Sequence, residues 1–162
     1  MSLTFRAVVA SFPGRESYLA ESVESLREQG VEPIVVCDTR WGPPKWNEAI
    51  DGAQRDGIDL LFLPHDDDVY SSTFIKEMVA YMEAHPEAAA CFCYDRSIDG
   101  EGRRLPKMTG LPIPEQDTYD FKTVLNGMIS KFGNFLRCET VCLRLSLLGD
   151  LRFPMDAGCG KA

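Results

Sequence analysis

The stretch Ile58-Asp-Leu-Leu-Phe-Leu63, followed at once by Pro64-His-Asp-Asp-Asp68, decides the fold of this 162-residue chain. Five of its first six residues are apolar, which is typical of a strand buried inside a sheet. Proline cannot donate to a strand ladder, so the strand is expected to end there. Open α/β sheets bind ligands beyond the carboxyl ends of their parallel strands. The stretch therefore predicts a buried strand with a ligand site just past its end.

Apolar strands and amphipathic helices alternate on both sides of this stretch. The predicted strands are 5–10, 33–37, 58–63, 88–94 and 140–145. The predicted helices are 17–29, 45–55, 72–85, 119–130 and a short turn at 145–148, with Ser17 and Ser72 capping the first and third. Asp99-Gly100 predicts a turn, and the Pro- and Gly-rich residues 106–114 are expected to be irregular. The alternation predicts an α/β fold with a mostly parallel central sheet flanked by helices.

The charge balance excludes several classes of protein. Lys plus Arg is 17 and Asp plus Glu is 25, and the resulting net charge of −8 argues against nucleic-acid binding, which needs a basic surface. It also argues against electrostatic docking on an anionic membrane. No apolar run approaches the length of about 18 residues that a membrane span needs. Residues 1–12 lack the pattern of a signal peptide, so a cytoplasmic protein is expected.

The six cysteines predict no metal site. Cys37, Cys91 and Cys93 lie in apolar, strand-like runs and are expected to be buried free thiols that pack as small apolar residues. Cys138 and Cys142 are four residues apart. Neither a Cys-x-x-Cys pair nor a neighbouring His pair accompanies them, so zinc is not indicated.

Asp66, Asp67 and Asp68 are the sharpest functional signal in the sequence. Three adjacent ionised carboxylates repel one another unless solvent or a cation lies nearby. Hard oxygen ligands suit Mg²⁺ or Mn²⁺, and such a metal can stabilise a departing diphosphate as a Lewis acid. His65 abuts the triplet and is a further candidate ligand. The alternative is an acidic loop that stabilises the positive end of the following helix.

Two other strand ends carry candidate ligand contacts. Asp38 can accept hydrogen bonds from a base or ribose, or it can be an ordinary turn residue. Phe12 can stack on a nucleobase, or it can belong to the core. Lys45, Arg40 and Arg15 are candidate phosphate contacts, although each alone is more often a solvated surface charge. The sequence contains no phosphate loop, no dinucleotide-binding glycine motif after the first strand and no Gly-x-Ser-x-Gly elbow.

Several short segments follow one another in a recognisable order. They are Val8-Val-Ala-Ser-Phe12, Tyr18-Leu19, Ser22-Val-Glu-Ser-Leu26, Pro33-Ile-Val-Val-Cys-Asp38, Asn47-Glu-Ala-Ile50, Leu61-Phe-Leu63, His65-Asp-Asp-Asp68, Phe74-Ile-Lys-Glu-Met78, Val141-Cys-Leu-Arg-Leu145 and Leu147-Leu-Gly-Asp150. In order and spacing they resemble the family-two inverting glycosyltransferases, which have the GT-A fold. The resemblance covers nearly the whole chain.

The resemblance implies a GT-A-like nucleotide-diphospho-sugar transferase fold and a set of site residues. Metal ligation, by Mn²⁺ or Mg²⁺, would fall to Asp66 and Asp68, and donor binding would fall to Ser11, Phe12, Asp38, Asn47 and Asp67. By the same resemblance, residues 1–105 form a nucleotide-sugar-binding half of one domain and residues 106–162 an acceptor-side half.

The function implied is transfer of a sugar from a nucleoside diphosphate sugar to a hydroxyl of a saccharide, lipid or protein acceptor, with inversion. The sequence departs from the family in two places. Only eight residues separate Asp38 from Asn47, where the family usually has a further helix and strand. The catalytic base is also not identified, and Asp156 is the nearest candidate carboxylate. These departures keep two alternatives open: a non-catalytic nucleotide- or sugar-binding module, and another metal-dependent nucleotide enzyme such as a nucleotidyltransferase.

Overall fold

A five-stranded sheet forms the centre of the protein. The structure is a computed structural model that describes residues 2–40, 42–109 and 140–153, and for residues 106–109 it describes the main chain only. The strands are β1 (Phe5–Ser11), β2 (Ile34–Cys37), β3 (Leu60–Phe62), β4 (Ala90–Phe92), β5 (Asp95–Ile98), β6 (Arg104–Thr109) and β7 (Val141–Arg144). The helices are α1 (Glu16–Arg27), α2 (Pro43–Arg55), α3 (Phe74–Ala84) and α4 (Leu145–Leu148). The predicted α/β class is therefore confirmed, and the predicted helix 119–130 lies outside the described residues.

The sheet is mixed, which corrects the expectation of a mostly parallel one. Its order is β2-β1-β3-β7-β4, and β5 and β6 form a separate two-stranded ribbon. β1 pairs in parallel with β2 and β3, whereas β7 pairs antiparallel with both β3 and β4. β1, β2, β3 and β4 therefore run in the same direction. β7 lies between β3 and β4 and runs in the opposite direction. The apolar sequence of β7 marks it as a strand, but only the path of the chain sets its direction.

Alternate residues of the central strands point to opposite faces of the sheet, as strand geometry requires. Leu60 and Phe62 of β3 pack in one apolar cluster with α1 and α3, whereas Leu61 packs in a second cluster with α2 and α4. All three side chains are fully buried. Burying each of them stabilises the fold by about 1.5–3 kcal/mol. Helices therefore cover both faces of β3, as its apolar sequence predicts.

The helix starts differ from the predicted caps. Ser17 lies inside α1, which begins at Glu16, and no side-chain hydrogen bond caps that helix. α3 begins at Phe74 after Thr73, so Ser72 is not its cap either. α2 starts earlier than expected because Pro43 occupies its first turn, where a missing N–H costs nothing.

The β5–β6 ribbon contains the predicted turn. Asp99 accepts hydrogen bonds from the backbone N–H groups of Glu101 and Arg103, which closes the turn. Residues 106–109 continue β6, so this part of the segment 106–114 is a strand and not irregular. The division at residues 105 and 106 falls inside β6 and stays a prediction.

The described thiols and helices bear on two further expectations. Cys91 is buried as expected, but Cys37 and Cys93 are exposed. Cys37 is exposed because β2 is an edge strand, which leaves its apolar sequence partly uncovered. Among the described helices, none has both the length and the apolar character needed to cross a bilayer.

Candidate functional site at the strand ends

The carboxyl ends of β1, β2 and β3 meet at one edge of the sheet. His65, just beyond β3, pairs with Ala10 of β1 in a parallel bridge. The N–H of Asp38, just beyond β2, donates to the carbonyl of Ser11 at 3.4 Å. The Ser11 hydroxyl donates to the Asp66 carboxylate at 2.7 Å. The structure therefore brings together the three strand ends at which the sequence places polar residues.

Asp66 points into the protein. It is only 3% exposed, and its two carboxylate oxygens face the Ser11 hydroxyl at 2.7 Å and the Arg15 guanidinium at 3.3 Å. A buried carboxylate needs such partners, because an unpaired buried charge is costly. These contacts make Asp66 a brace between β1 and the loop after β3.

His65, Asp67 and Asp68 form the potential metal-binding group among the described residues. One ligand atom from each lies within 4.8 Å of the others. Asp67 is exposed, while His65 and Asp68 are half-buried. Carboxylate oxygens with an imidazole nitrogen can ligate a divalent cation such as Mn²⁺. The group includes Asp68 of the predicted metal pair but has His65 and Asp67 in place of Asp66.

The backbone and ring of His65 are both held in place. Its N–H donates to the Tyr70 hydroxyl at 3.0 Å, and its carbonyl accepts from the Ser22 hydroxyl at 2.8 Å. Its imidazole stacks on Trp46 of α2, with ring centroids 5.7 Å apart and an interplanar angle of 1°. A fixed imidazole and two neighbouring carboxylates are the kind of preorganised ligand set that metal sites use.

Arg15 is the cation that accompanies these carboxylates. Its guanidinium lies 2.6 Å from an oxygen of Asp67 and 3.3 Å from Asp66. The hydrogen bond with Asp67 raises the pKa of Arg15 above its ordinary value. Arg15 stands immediately before α1, so the β1–α1 connection delivers a positive charge to the acidic cluster. Its contacts identify it as a counter-ion, which the sequence does not indicate.

Asp38 is engaged by a neighbouring arginine. Arg40 donates to Asp38 through its backbone N–H at 2.8 Å and its guanidinium at 2.6 Å, and the same guanidinium pairs with Glu48 of α2. The side-chain hydrogen bonds from Arg40 lower the pKa of Asp38 to about 2. Asp38 is therefore ionised near neutral pH, but its oxygens already have a partner.

Lys45 of α2 is buried, with 1% exposure, and does not stand ready for a phosphate. Its ammonium donates to the carbonyls of Ser11 at 2.5 Å and Asp38 at 2.9 Å. It also lies 3.8 Å from the centre of the Phe12 ring. The Lys45 ammonium thus contacts Ser11, Phe12 and Asp38 together.

Asn47 makes two hydrogen bonds with the main chain of Phe153. Its amide donates to the carbonyl of Phe153 at 3.0 Å and accepts from the N–H of Phe153 at 2.9 Å. The Phe153 ring packs against Trp46 at 5.0 Å. Asn47 therefore anchors the chain that follows α4, close to the layer formed by Trp46 and His65.

Trp46 and Phe153 are neighbours of the site that the sequence pattern does not reveal. The spacing of Trp46 indicates only that it lies on the apolar face of α2, and no local signal connects Asn47 to a residue 106 positions later. Asp156, the candidate base, lies outside the described residues, three positions beyond Phe153.

A separate cavity lies at the opposite end of β1. It has a volume of about 530 Å³ and is lined by Ser2, Leu3, Met82, Glu83, Pro86 and Arg144. Its two charged groups already have partners: Glu83 accepts from the N–H of Leu3, and Arg144 donates to three carbonyls around the end of α3. The cavity therefore offers less chemistry than the strand ends.

No known protein-family model matches this chain, and no curated protein sequence matches it. The ground for assigning a function is therefore the chemistry of the strand-end residues.

Proposed function

We propose that this chain is a GT-A-like glycosyltransferase core that binds a nucleoside diphosphate sugar with Mn²⁺ or Mg²⁺ at the carboxyl ends of β1, β2 and β3. The observation that carries the proposal is the convergence of His65, Asp67 and Asp68 within 4.8 Å. This group lies at the same sheet edge as Asp38 and Phe12. One end of the edge thus suits a metal-bound diphosphate, and the other suits a nucleoside.

The roles of the acidic residues in this proposal differ from those that the resemblance implied. His65, Asp67 and Asp68 hold the cation, while Asp66 braces the loop through Ser11 and Arg15. The bound cation supplies Lewis-acid stabilisation of the departing diphosphate. Arg15 lies next to the carboxylates and adds positive charge where the phosphates would sit. Such fixed charges lower the barrier because they need no reorganisation during the reaction.

The proposed reaction is attack by an acceptor hydroxyl on the anomeric carbon of the donor, with inversion. The bond to the diphosphate breaks, and a general base takes the hydroxyl proton. The base is not assigned to a described residue; Asp156 is the candidate that the resemblance to glycosyltransferases suggests, and it lies outside the described residues. The acceptor is a saccharide, lipid or protein hydroxyl.

Calorimetric titration tests the donor site. UDP, GDP and dTDP are each titrated with and without Mn²⁺, and we expect one of them to bind only when Mn²⁺ is present. Asp68→Asn should remove the metal-dependent part of this binding, because it removes a ligand charge. Asp150→Asn is the matched control, since Asp150 is exposed and lies after α4. Binding in Asp68→Asn equal to that of the unaltered protein would contradict the metal assignment.

A non-catalytic binding module is the second candidate. It is favoured by the short connection from Asp38 to α2 and by the lack of an identified base among the described residues. A module of this kind holds a nucleotide but turns nothing over. Release of sugar from the bound donor, including slow hydrolysis, would count against it. Release of pyrophosphate from a nucleoside triphosphate would instead indicate a nucleotidyltransferase.

A further inference from the structure

Lys45 is a buried cation at the point where β1 and β2 end. Only 1% of the residue is exposed, although lysine is among the residues least often found fully buried. Its position in the first turns of α2 places the ammonium under the strand ends and away from solvent. Burial of a charge is costly unless hydrogen bonds satisfy it, so the contacts of this ammonium need an explanation.

The contacts account for the donors of the ammonium. Two hydrogen bonds go to main-chain carbonyls, those of Ser11 at 2.5 Å and Asp38 at 2.9 Å. A carboxylate oxygen of Asp38 lies 3.4 Å away, and the centre of the Phe12 ring lies 3.8 Å away. A lysine ammonium has three donors. Two of them are used in these hydrogen bonds, and the other neighbours of the ammonium, the Asp38 carboxylate and the Phe12 ring, also belong to the protein.

The two carbonyls belong to the last residue of β1 and the residue just after β2. The ladder between β1 and β2 ends here in one long hydrogen bond, from the N–H of Asp38 to the carbonyl of Ser11 at 3.4 Å. The ammonium bonds to the carbonyls of both residues and so reinforces this weak end of the ladder. The cation–π contact also fixes Phe12, since a cation at this distance from a ring is attracted to its face.

We propose that Lys45 is a positioning residue for the nucleoside end of the donor site: it holds Phe12 and Asp38 in the separation and orientation that a nucleobase and ribose require. This inference rests on the proposed function. It assigns a role to a residue that touches neither phosphate nor metal. It also explains how the shortened connection between β2 and α2 still provides an ordered site.

The test compares two kinds of binding in one variant. Lys45→Met keeps an unbranched side chain one atom shorter and loses every donor, while Lys45→Gln keeps one amide donor group. Mn²⁺ binding is measured by electron paramagnetic resonance, from the loss of the signal of free Mn²⁺. Binding of UDP, GDP and dTDP is measured by calorimetry with Mn²⁺ present. We expect Lys45→Met to bind Mn²⁺ within about 2-fold of the unaltered protein and to bind the preferred nucleotide about 30-fold more weakly, the loss of two hydrogen bonds. The nucleotide affinity of Lys45→Gln should lie between that of the unaltered protein and that of Lys45→Met.

If Lys45→Met does not fold, Lys45→Gln must still weaken nucleotide binding at least about 3-fold while leaving Mn²⁺ binding unchanged, because it keeps fewer of the two hydrogen bonds. Phe12→Leu tests whether the two residues act together, because it removes the ring that the ammonium contacts and leaves Lys45 in place. Where both fold, the double variant should lose less than the product of the two single losses, since the residues act together.

Three results would overturn the inference. Unchanged nucleotide binding in Lys45→Met, or in Lys45→Gln where the former does not fold, leaves the proposed function intact but removes this role. Equal losses of Mn²⁺ and nucleotide binding assign Lys45 to the fold of the whole edge and not to the nucleoside end. If the unaltered protein binds Mn²⁺ but none of the three nucleotides, the proposed function fails together with the inference.

Discussion

Replacing Arg15 by Gln should tighten the binding of Mn²⁺ to this protein. The guanidinium of Arg15 lies 2.6 Å from Asp67 and 3.3 Å from Asp66. It therefore neutralises part of the negative charge that would attract the cation. A metal that binds His65, Asp67 and Asp68 must displace this arginine or accept its repulsion. Glutamine is polar and carries no charge, so the variant removes the competition, while Asp66 keeps its hydrogen bond from the Ser11 hydroxyl.

The exposure of these side chains sets the magnitude. Two unit charges about 4 Å apart interact by about 4 kcal/mol at an effective dielectric constant of about 20, and by about 1 kcal/mol in water. The side chain of Arg15 is 32% exposed and that of Asp67 is 49% exposed, so solvent screens the pair. Exposed pairs are worth at most about 1 kcal/mol. We therefore expect the dissociation constant for Mn²⁺ to fall about 5-fold.

The assay is titration of the free-Mn²⁺ resonance at low ionic strength, repeated at higher salt. The gain in affinity should shrink as salt is added, because added ions screen exposed charges. Arg27→Gln is the matched control: it has the same change in net charge, but Arg27 lies at the other end of α1 and pairs with Glu32. An unchanged or weaker affinity in Arg15→Gln would refute the idea that Arg15 and the metal share these carboxylates. An equal gain in Arg27→Gln would attribute the effect to net charge alone.

Three further predictions concern stability and reactivity. The backbone N–H and hydroxyl of Thr4 hold the pKa of Asp59 below its ordinary value. This stabilisation is complete above the unfolded-state pKa of about 4 and is lost as pH falls through the lower folded-state value. In an acid titration followed by circular dichroism, Thr4→Val should therefore unfold at a higher pH than the unaltered protein. Exposed Cys37 should react with a thiol reagent in the native protein. Cys142 should react only on unfolding, because its hydrogen bond with a neighbouring thiol and its burial raise the pKa of its thiol. Peptide mapping distinguishes the two cysteines, and equal reaction rates would contradict the burial of Cys142. Phe62→Ala should lower the free energy of unfolding by about 3–5 kcal/mol in urea, because Phe62 is fully buried between α1 and α3, and a loss below about 1 kcal/mol would place that side chain outside the core.

Helices and strands were largely predictable because their signal is local. The apolar run of β3 predicts burial on both faces, and the two clusters on either side of Leu61 and Phe62 confirm it. The exact helix starts were less predictable. Ser17 and Ser72 have the side chains of good caps, yet neither helix uses them. Capping preferences are worth about 1 kcal/mol, which packing of a helix face readily overrides.

The candidate site shows a sharper division. Polar residues after three strands predict a common edge, and the contact between Ser11 and Asp66 places two of them together. Which carboxylate turns inward is not a local property. Asp66 and Asp68 are chemically identical, and only the loop geometry and the position of Arg15 give Asp66 a buried role. The same holds for Lys45, whose burial depends on where α2 crosses the ends of β1 and β2.

Local sequence is enough to predict the α/β class, the order of the main elements and the polar residues beyond three strand ends, because hydrophobic period, turn residues and charge act over a few neighbouring positions. Only the packed structure sets the reversed direction of β7, the grouping of His65 with Asp67 and Asp68, and the anchoring of Phe153 by Asn47. Each of these depends on contacts between segments far apart in the chain. Such contacts are set by the packing of whole helices on the sheet, and they leave no repeating pattern along the chain.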